Sequence, residues 1–219
     1  MLNLSTYEKQ ICSQQGEDGV IEAIFDEIGT TNRVAVEFGA LDAPTDNTLL
    51  LKKTGWKVHQ WNGERFTPNV KKYWVTAENI NTIWAKEGVP DEPDLLSIDI
   101  DYNDYWVWKA LKARPRLIVI EHNASIPPTE ARVVPYDPKA GWDGTNYFGA
   151  SLKALWQLAK QKDYSLVYVE SQGVNAFFIR NDCLGDNLQA LTATQAYQKP
   201  KYGPNDGGHP QSDKVMPLL

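Results

Sequence analysis

Two short stretches gather the groups able to hold a cation or move a proton. Asp99 and Asp101 stand two residues apart, and Glu121 and Asn123 repeat that spacing. On extended backbone, residues i and i+2 project to the same side. If the two stretches end neighbouring strands, their tips are about 5 Å apart. Two to four hard oxygen donors then converge, the donor set that Mg2+ or Ca2+ takes. Carboxylates so close repel, so a cation or a shared proton is expected between them. The competing assignment has the same side chains capping the helix that begins near Tyr105, or binding neighbouring loops. His122 has the reference pKa of a general base, although a histidine beside acids also serves as a structural hydrogen-bonder. Of the other two histidines, His59 falls within a strand pattern and His209 in a polar C-terminal run.

A further segment with chemical potential is Glu37-Phe-Gly-Ala-Leu-Asp42. Gly39 permits a tight turn and close approach of a ligand to the backbone. The spacing GxGxxG is absent, which argues against a dinucleotide-binding loop and a nicotinamide-dependent oxidoreductase. Glu37 would repel a pyrophosphate and suits a cationic ligand such as S-adenosylmethionine. The alternative is a capped turn, with Asp46 as N-cap of the next helix. Aromatic residues cluster around the acids in sequence: Tyr102, Tyr105, Trp106, Trp108, Trp142, Tyr147 and Phe148. They could stack on an adenine or a sugar, and most are expected to be packing elements.

The elements that must carry these residues alternate along the chain. Val20, Ile21, Ile24, Phe25 and Ile28 share a helical stripe, stopped at Gly29. Strand patterns follow at 33–38, 57–61, 74–76, 95–100 and 117–120, with helical patterns at 48–53, 80–84 and 105–112 between them. Near-continuous apolar strands separated by helices imply a parallel sheet covered on both faces. Ser151 is read as the N-cap of a helix with Leu152, Leu155, Trp156 and Ala159 on its apolar side. Strands at 164–169 and 174–179, joined by Glu170-Ser-Gln-Gly173, must be antiparallel. In an open α/β sheet, ligands bind beyond the carboxyl ends of the strands. The clusters at Glu37–Asp42, Asn62–Glu64, Asp99–Asp104 and Glu121–Asn123 all fall there. The Pro-rich segment 124–147 is long enough to be functional, and the polar run after Asn181 is expected to be loosely packed.

Composition narrows the classes. The chain has 219 residues, 28 Asp+Glu against 22 Lys+Arg, and a formal charge of −6, which disfavours a nucleic-acid surface as its main business. Two cysteines exclude a disulfide scaffold and a Cys-rich zinc site. No apolar run approaches the roughly 18–20 residues that cross a bilayer, and the polar start lacks a signal-peptide core. A cytoplasmic protein with no membrane partner is expected.

Several segments together resemble the FkbM-like class of S-adenosylmethionine-dependent methyltransferases. They are Ser13-Gln-Gln-Gly-Glu-Asp18, Val36-Glu-Phe-Gly-Ala40, Asp46-Asn-Thr48, Gly55-Trp56, Leu96-Ser-Ile-Asp-Ile-Asp101, Asn103-Asp-Tyr-Trp106, Glu121-His-Asn123, Phe148-Gly-Ala-Ser151 and Val174-Asn-Ala-Phe-Phe178. The resemblance covers roughly residues 10–182. It implies one α/β domain over 1–182 with the Rossmann-like class I methyltransferase fold, strand order 3-2-1-4-5-7-6, and a polar tail over 183–219. It implies S-adenosylmethionine as cofactor, with Glu37, Gly39, Ala40, Asp42 and Asn47 near its methionine part, Asn62 at the ribose, and Thr76 and Asn79 at the adenine. Asn62 replaces the usual acid, with Glu64 two residues on, while Ala43 and Tyr102 replace usual glycines. By position, metal-dependent relatives place Mg2+ at Asp99, Asp101, Glu121 and Asn123. The implied activity is O-methylation of a small hydroxyl-bearing acceptor, sugar-like or glycan-like, with Asp99, Asp101 and His122 catalytic and Trp142 and Tyr147 walling the acceptor. The three departures support an alternative, a non-catalytic binding protein with a degenerate cofactor site.

Overall fold

The computed structural model describes the backbone of residues 1–219 and every side chain except that of Asn205. Seven strands form one sheet: β1 (Val34–Phe38), β2 (Lys57–Asn62), β3 (Val70–Lys72), β4 (Leu95–Ile98), β5 (Leu117–Glu121), β6 (Tyr164–Val169) and β7 (Asn175–Arg180). Their order is β3-β2-β1-β4-β5-β7-β6. Neighbours are parallel except β7, which runs antiparallel to both β5 and β6. This is the class I methyltransferase topology. The third strand lies at 70–72, paired with Gln60–Asn62, and not at 74–76 as the sequence pattern suggests. Trp74 and Val75 instead face a cavity.

Side-chain alternation explains why both faces are covered. Val34, Val36, Phe38, Leu96, Ile98, Ile118 and Ile120 enter one core, whereas Ala35, Leu95, Leu117 and Val119 enter another. The first core receives α3 (Ile80–Lys86), α4 (Asp104–Ala110) and α5 (Leu152–Gln161). The second receives α1 (Glu17–Ile28) through Val20, Ile21, Ala23, Ile24 and Phe25. α2 (Leu49–Lys53) follows the first strand and leans on that second core through Leu51. Ser151 caps α5 by accepting from Ala154 N–H at 3.2 Å, as its position before the apolar stripe requires.

The C-terminal run is docked, which corrects the expectation of a loose tail. Leu188, Ala193, Ala196 and Met216 are buried. The short α6 (Ala193–Ala196) opens with a Thr192–Gln195 capping box. Leu218 bridges to Arg132. Polar composition hid this, because the few apolar side chains that dock are scattered and the rest of the fastening is by backbone and side-chain hydrogen bonds. Among the described residues no helix is long and apolar enough to cross a membrane.

Candidate active site

The tips of β1 and β4 touch, and one glycine makes that possible. Gly39, at φ +89°, donates its N–H to Trp61 O at 2.8 Å. A Cβ built on it would lie 1.7 Å from the carbonyl oxygen of Asp99. Beyond β4 the chain turns sharply. Asp101 adopts φ +64°, and Asp104 pins the turn by accepting from Ile100 N–H at 2.8 Å. Since β4 and β5 pair directly, Asp99, Asp101 and Glu121 converge, with carboxylate oxygens within 4.8 Å of one another. Burial pushes Asp99 and Glu121 well above the ordinary carboxylate range, and repulsion from the neighbouring acids adds to it. Asp104 is raised to about 7, chiefly by burial. Three hard oxygen ligands so arranged fit a divalent cation such as Mg2+.

Two cavities meet at this carboxylate wall. The first, about 380 Å³, is bounded by Gly39 and Asn62 at the ends of β1 and β2, by Trp74, and by Asp99, Asp101 and Asn103. The second, about 320 Å³, lies on the other side of the acids and is bounded by Glu121, Phe148, Tyr202 and His209. Asp99, Asp101 and Trp142 line both. Asn103 donates to Asp137 O, and its Oδ1 is buried with no partner among the described residues. A carbonyl acceptor at the rim of a cavity of this size suits a ligand bearing an amine. Together with the acids, it makes the first cavity a fit for a cationic amino-acid nucleoside such as S-adenosylmethionine.

Several residues singled out from the sequence do not reach either cavity. His122 is fully buried, with Nδ1 3.0 Å from Val174 O, and burial lowers its pKa to about 4. It stands just past the end of β5, with its ring turned into the protein and held on the Val174 carbonyl, so it is no base for a substrate at the rim. Asn123 is also fully buried. Its amide donates to Asn146 O at 2.8 Å and Phe148 O at 3.0 Å, and its Oδ1 accepts from Ser125 N–H. It fastens the 124–147 loop and offers a metal nothing. The i, i+2 argument fails here because β5 ends at Glu121. Tyr147 packs against Tyr102 at 6.4 Å between ring centres, outside both cavities. Thr76 and Asn79 exchange hydrogen bonds with each other's backbone at the start of α3, and Trp74 and Val75 take the wall assigned to them. Ala40 and Asp42 lie outside the lining. Ala40 O accepts from Asn62, and the Asp42 carboxylate accepts from Asn69. Asn62 lines the first cavity, but both ends of its amide are in use. Nδ2 donates to Gly39 O and Ala40 O, and Oδ1 accepts from the N–H groups of Glu64 and Arg65.

Glu37 lies on the same sheet edge as Asp99, yet its carboxylate is turned into the protein. It accepts from Asn47 N–H at 2.7 Å and Thr48 Oγ1 at 2.5 Å, with Gln60 Nε2 at 3.4 Å. Asn47 in turn donates to Ser97 Oγ. Both residues therefore brace the first loop from below and line neither cavity. Burial first, and Asp46 second, push Glu37 up to about 7 from 4.5, against the lowering effect of its donors. The folded state then holds a proton that the unfolded state has released. Stability is fully present below pH 4.5 and is lost as pH rises to about 7. The loss is roughly 3 kcal/mol at full ionisation. The melting temperature should fall by roughly 5–10 °C between pH 5 and pH 8. Asp104, Asp99 and Glu121 are raised in the same sense and add to the slope, so Glu37→Gln should remove Glu37's share of it, and an unchanged slope in the variant would remove Glu37 as a contributor.

The sequence reading did not find Trp74, Asn103, Tyr202 or His209 as cavity residues; Phe148 was among the aromatics it named as able to stack on a ligand, and it lines the second cavity. Gln14 and Gln15, which line the second cavity, belong to the Ser13–Asp18 segment, but nothing in that segment's pattern pointed to the rim. No protein-family model matches the chain, and no curated protein matches it. Among solved structures, the chain is similar to the MycE methyltransferase of the mycinamycin biosynthetic pathway, solved in complex with Mg, SAH and mycinamycin VI. The two are 18% identical with a TM-score of 0.42, and the match covers 74% of this chain and 48% of that one. The chain thus spans about half the length of that neighbour. The fold assignment rests on the strand order itself.

Proposed function

We propose that this chain is an S-adenosylmethionine-dependent O-methyltransferase, FkbM-like in family, acting on a small hydroxyl-bearing acceptor of sugar or glycan type, with Mg2+ at Asp99, Asp101 and Glu121. The observation that carries this reading is the pair of cavities meeting at one carboxylate wall. A methyl transfer needs two ligands whose reacting atoms face each other across a short gap. The first cavity would take the cofactor, its sulfonium near Asp99 and its ribose near Glu64. The second would take the acceptor.

When bound, S-adenosylmethionine supplies an electrophilic methyl group, and Mg2+ supplies a Lewis acid that lowers the pKa of an oxygen. The chain's own residues align and discharge. Asp99 and Asp101, open to both cavities, orient the acceptor hydroxyl toward the methyl carbon. The proton released by the acceptor hydroxyl on methylation would pass to the Asp101 carboxylate. Trp142 lies over the junction and limits water there. The free thiols Cys12 and Cys183 and the charge of −6 suit a cytoplasmic setting and a small-molecule partner rather than a nucleic acid.

The occupied amide of Asn62 favours a second reading, a non-catalytic protein on the same fold, because that side chain has no group left for a ribose diol. Calorimetry separates the two. Dissociation constants of roughly micromolar order are expected for S-adenosylmethionine and S-adenosylhomocysteine, about 8 kcal/mol of binding free energy. Absence of heat from either ligand would overturn the enzymatic reading.

A further inference from the structure

The far wall of the second cavity is built by residues 197–216, which cross the carboxyl edge of the sheet as a strap fastened on both sides. On one side, Tyr197 donates its hydroxyl to Ala124 O at 2.7 Å, and Lys201 N–H donates to Gln172 O at 2.9 Å. The strap there lies directly on the β6–β7 turn, since a Cβ on Gly173 would come within 2.9 Å of Lys199 O. On the other side, Pro210 O accepts from Asn146 N–H, Ser212 N–H donates to Asn146 Oδ1, and Lys214 pairs with Asp143, each at 2.9 Å.

Between the fastenings the chain pinches into a closed loop. Gly208 N–H donates to Tyr202 O at 2.9 Å, and Gly203, at φ +72°, has Gly208 O only 2.2 Å from where a Cβ would stand. The pinch sets Tyr202 beside His209, with ring centres 5.1 Å apart. The His209 ring in turn meets Trp142 at 4.5 Å and Phe148 at 5.6 Å. All four rings line the cavity that faces Asp99, Asp101 and Glu121. A cluster serving only to glue a tail would be sealed, yet Trp142 is 43% exposed. Aromatic faces on one wall and carboxylates on the other suit a ring whose C–H face packs on the first and whose hydroxyls reach the second.

We propose that the strap is the specificity-determining wall of the acceptor chamber, with Tyr202 and His209 acting as positioning residues that hold the acceptor ring against Trp142. This rests on the methyltransferase reading for the word acceptor, but not for the chamber itself. The protein has three histidines, so the ring signals of His59, His122 and His209 can be followed separately by NMR. The probes are methyl glycosides of hexoses and 6-deoxyhexoses, added to the full chain with Mg2+ and S-adenosylhomocysteine. The expected result is a saturable shift of the His209 signal while that of buried His122 stays in place. Tyr202→Ala and His209→Ala should each weaken glycoside binding about tenfold, in saturation-transfer measurements. Their affinity for S-adenosylhomocysteine should stay within about twofold of the parent's, with the His122 signal reporting an intact fold. Equal glycoside binding by parent and variants, binding that leaves His209 unmoved, or no binding by any probe would each overturn the inference. Failure of S-adenosylhomocysteine to bind the parent would instead overturn the methyltransferase reading, and the glycoside titration would still decide the chamber.

Discussion

An Asp99→Asn protein is expected to melt above the parent in metal-free buffer while losing turnover by at least about 10²-fold. The two effects share one cause. Asp99, Asp101 and Glu121 bring carboxylate oxygens within 4.8 Å of one another at one sheet edge, Asp99 and Glu121 half-buried and Asp101 exposed. At an effective dielectric near 20, a pair of full charges at that separation would repel by about 3 kcal/mol, which Asp99 and Glu121, raised well above the ordinary carboxylate range, escape in part by holding a proton. Removing the central carboxylate relieves part of that repulsion and should raise the melting temperature by roughly 3–8 °C. The same removal takes away one of the two carboxylates open to both cavities. Millimolar Mg2+ should stabilise the parent and leave the variant unmoved. Normal turnover by the variant, or an undiminished response to Mg2+, would defeat the assignment of this wall.

The largest effect on stability is expected at Gly39. Alanine there would place a methyl carbon 1.7 Å from Asp99 O, a contact with rigid backbone that no rotamer can relieve, and would hold an L residue at φ +89°. The left-handed conformation alone costs of order 1–3 kcal/mol, and the overlap forces β1 and β4 apart at the tips. A total loss of about 4 kcal/mol or more is expected, read as a large drop in the urea midpoint. Gly55→Ala is the control. It has a similar φ of +89° but nothing within 4 Å of the added carbon, so it should cost only the backbone term. If the two variants prove equally stable, the close approach of the two strand tips is not a constraint on this fold.

Much of the frame was legible because burial on both sides of a sheet leaves long apolar runs. β1, β4 and β5 are such runs, and the four-residue connection from Val169 to Val174 could only close a hairpin. β3 was misplaced because three residues, two of them exposed lysines, carry no pattern of their own. Pairing with β2 makes them a strand. At the site, the acids Asp99, Asp101 and Glu121 came together, but not through simple alternation. Asp101 reaches its place through a left-handed turn. Beyond Glu121 the strand stops, so the same spacing sent Asn123 into the loop it fastens. His122 and Glu37 have the right types for chemistry, yet their side chains point inward, which a sequence cannot display. Tyr202 and His209 were invisible for the opposite reason. They sit in a polar, Gly- and Pro-rich run whose order derives from hydrogen bonds to distant turns.

The brevity of α2, α3 and α4, five, seven and seven residues, has a kinetic consequence. Isolated helices of that length do not persist in water, so none can nucleate early and wait for partners. Each must condense as its flanking strands align, and those strands pair across long stretches of chain, Val36 with Leu96 and Ile118 with Phe178. Non-local pairing of this kind is slow to find. The rim of the candidate site, drawn from segments scattered between Gln14 and His209, is therefore expected to mature only in the closing moments of folding, after the sheet beneath it is complete.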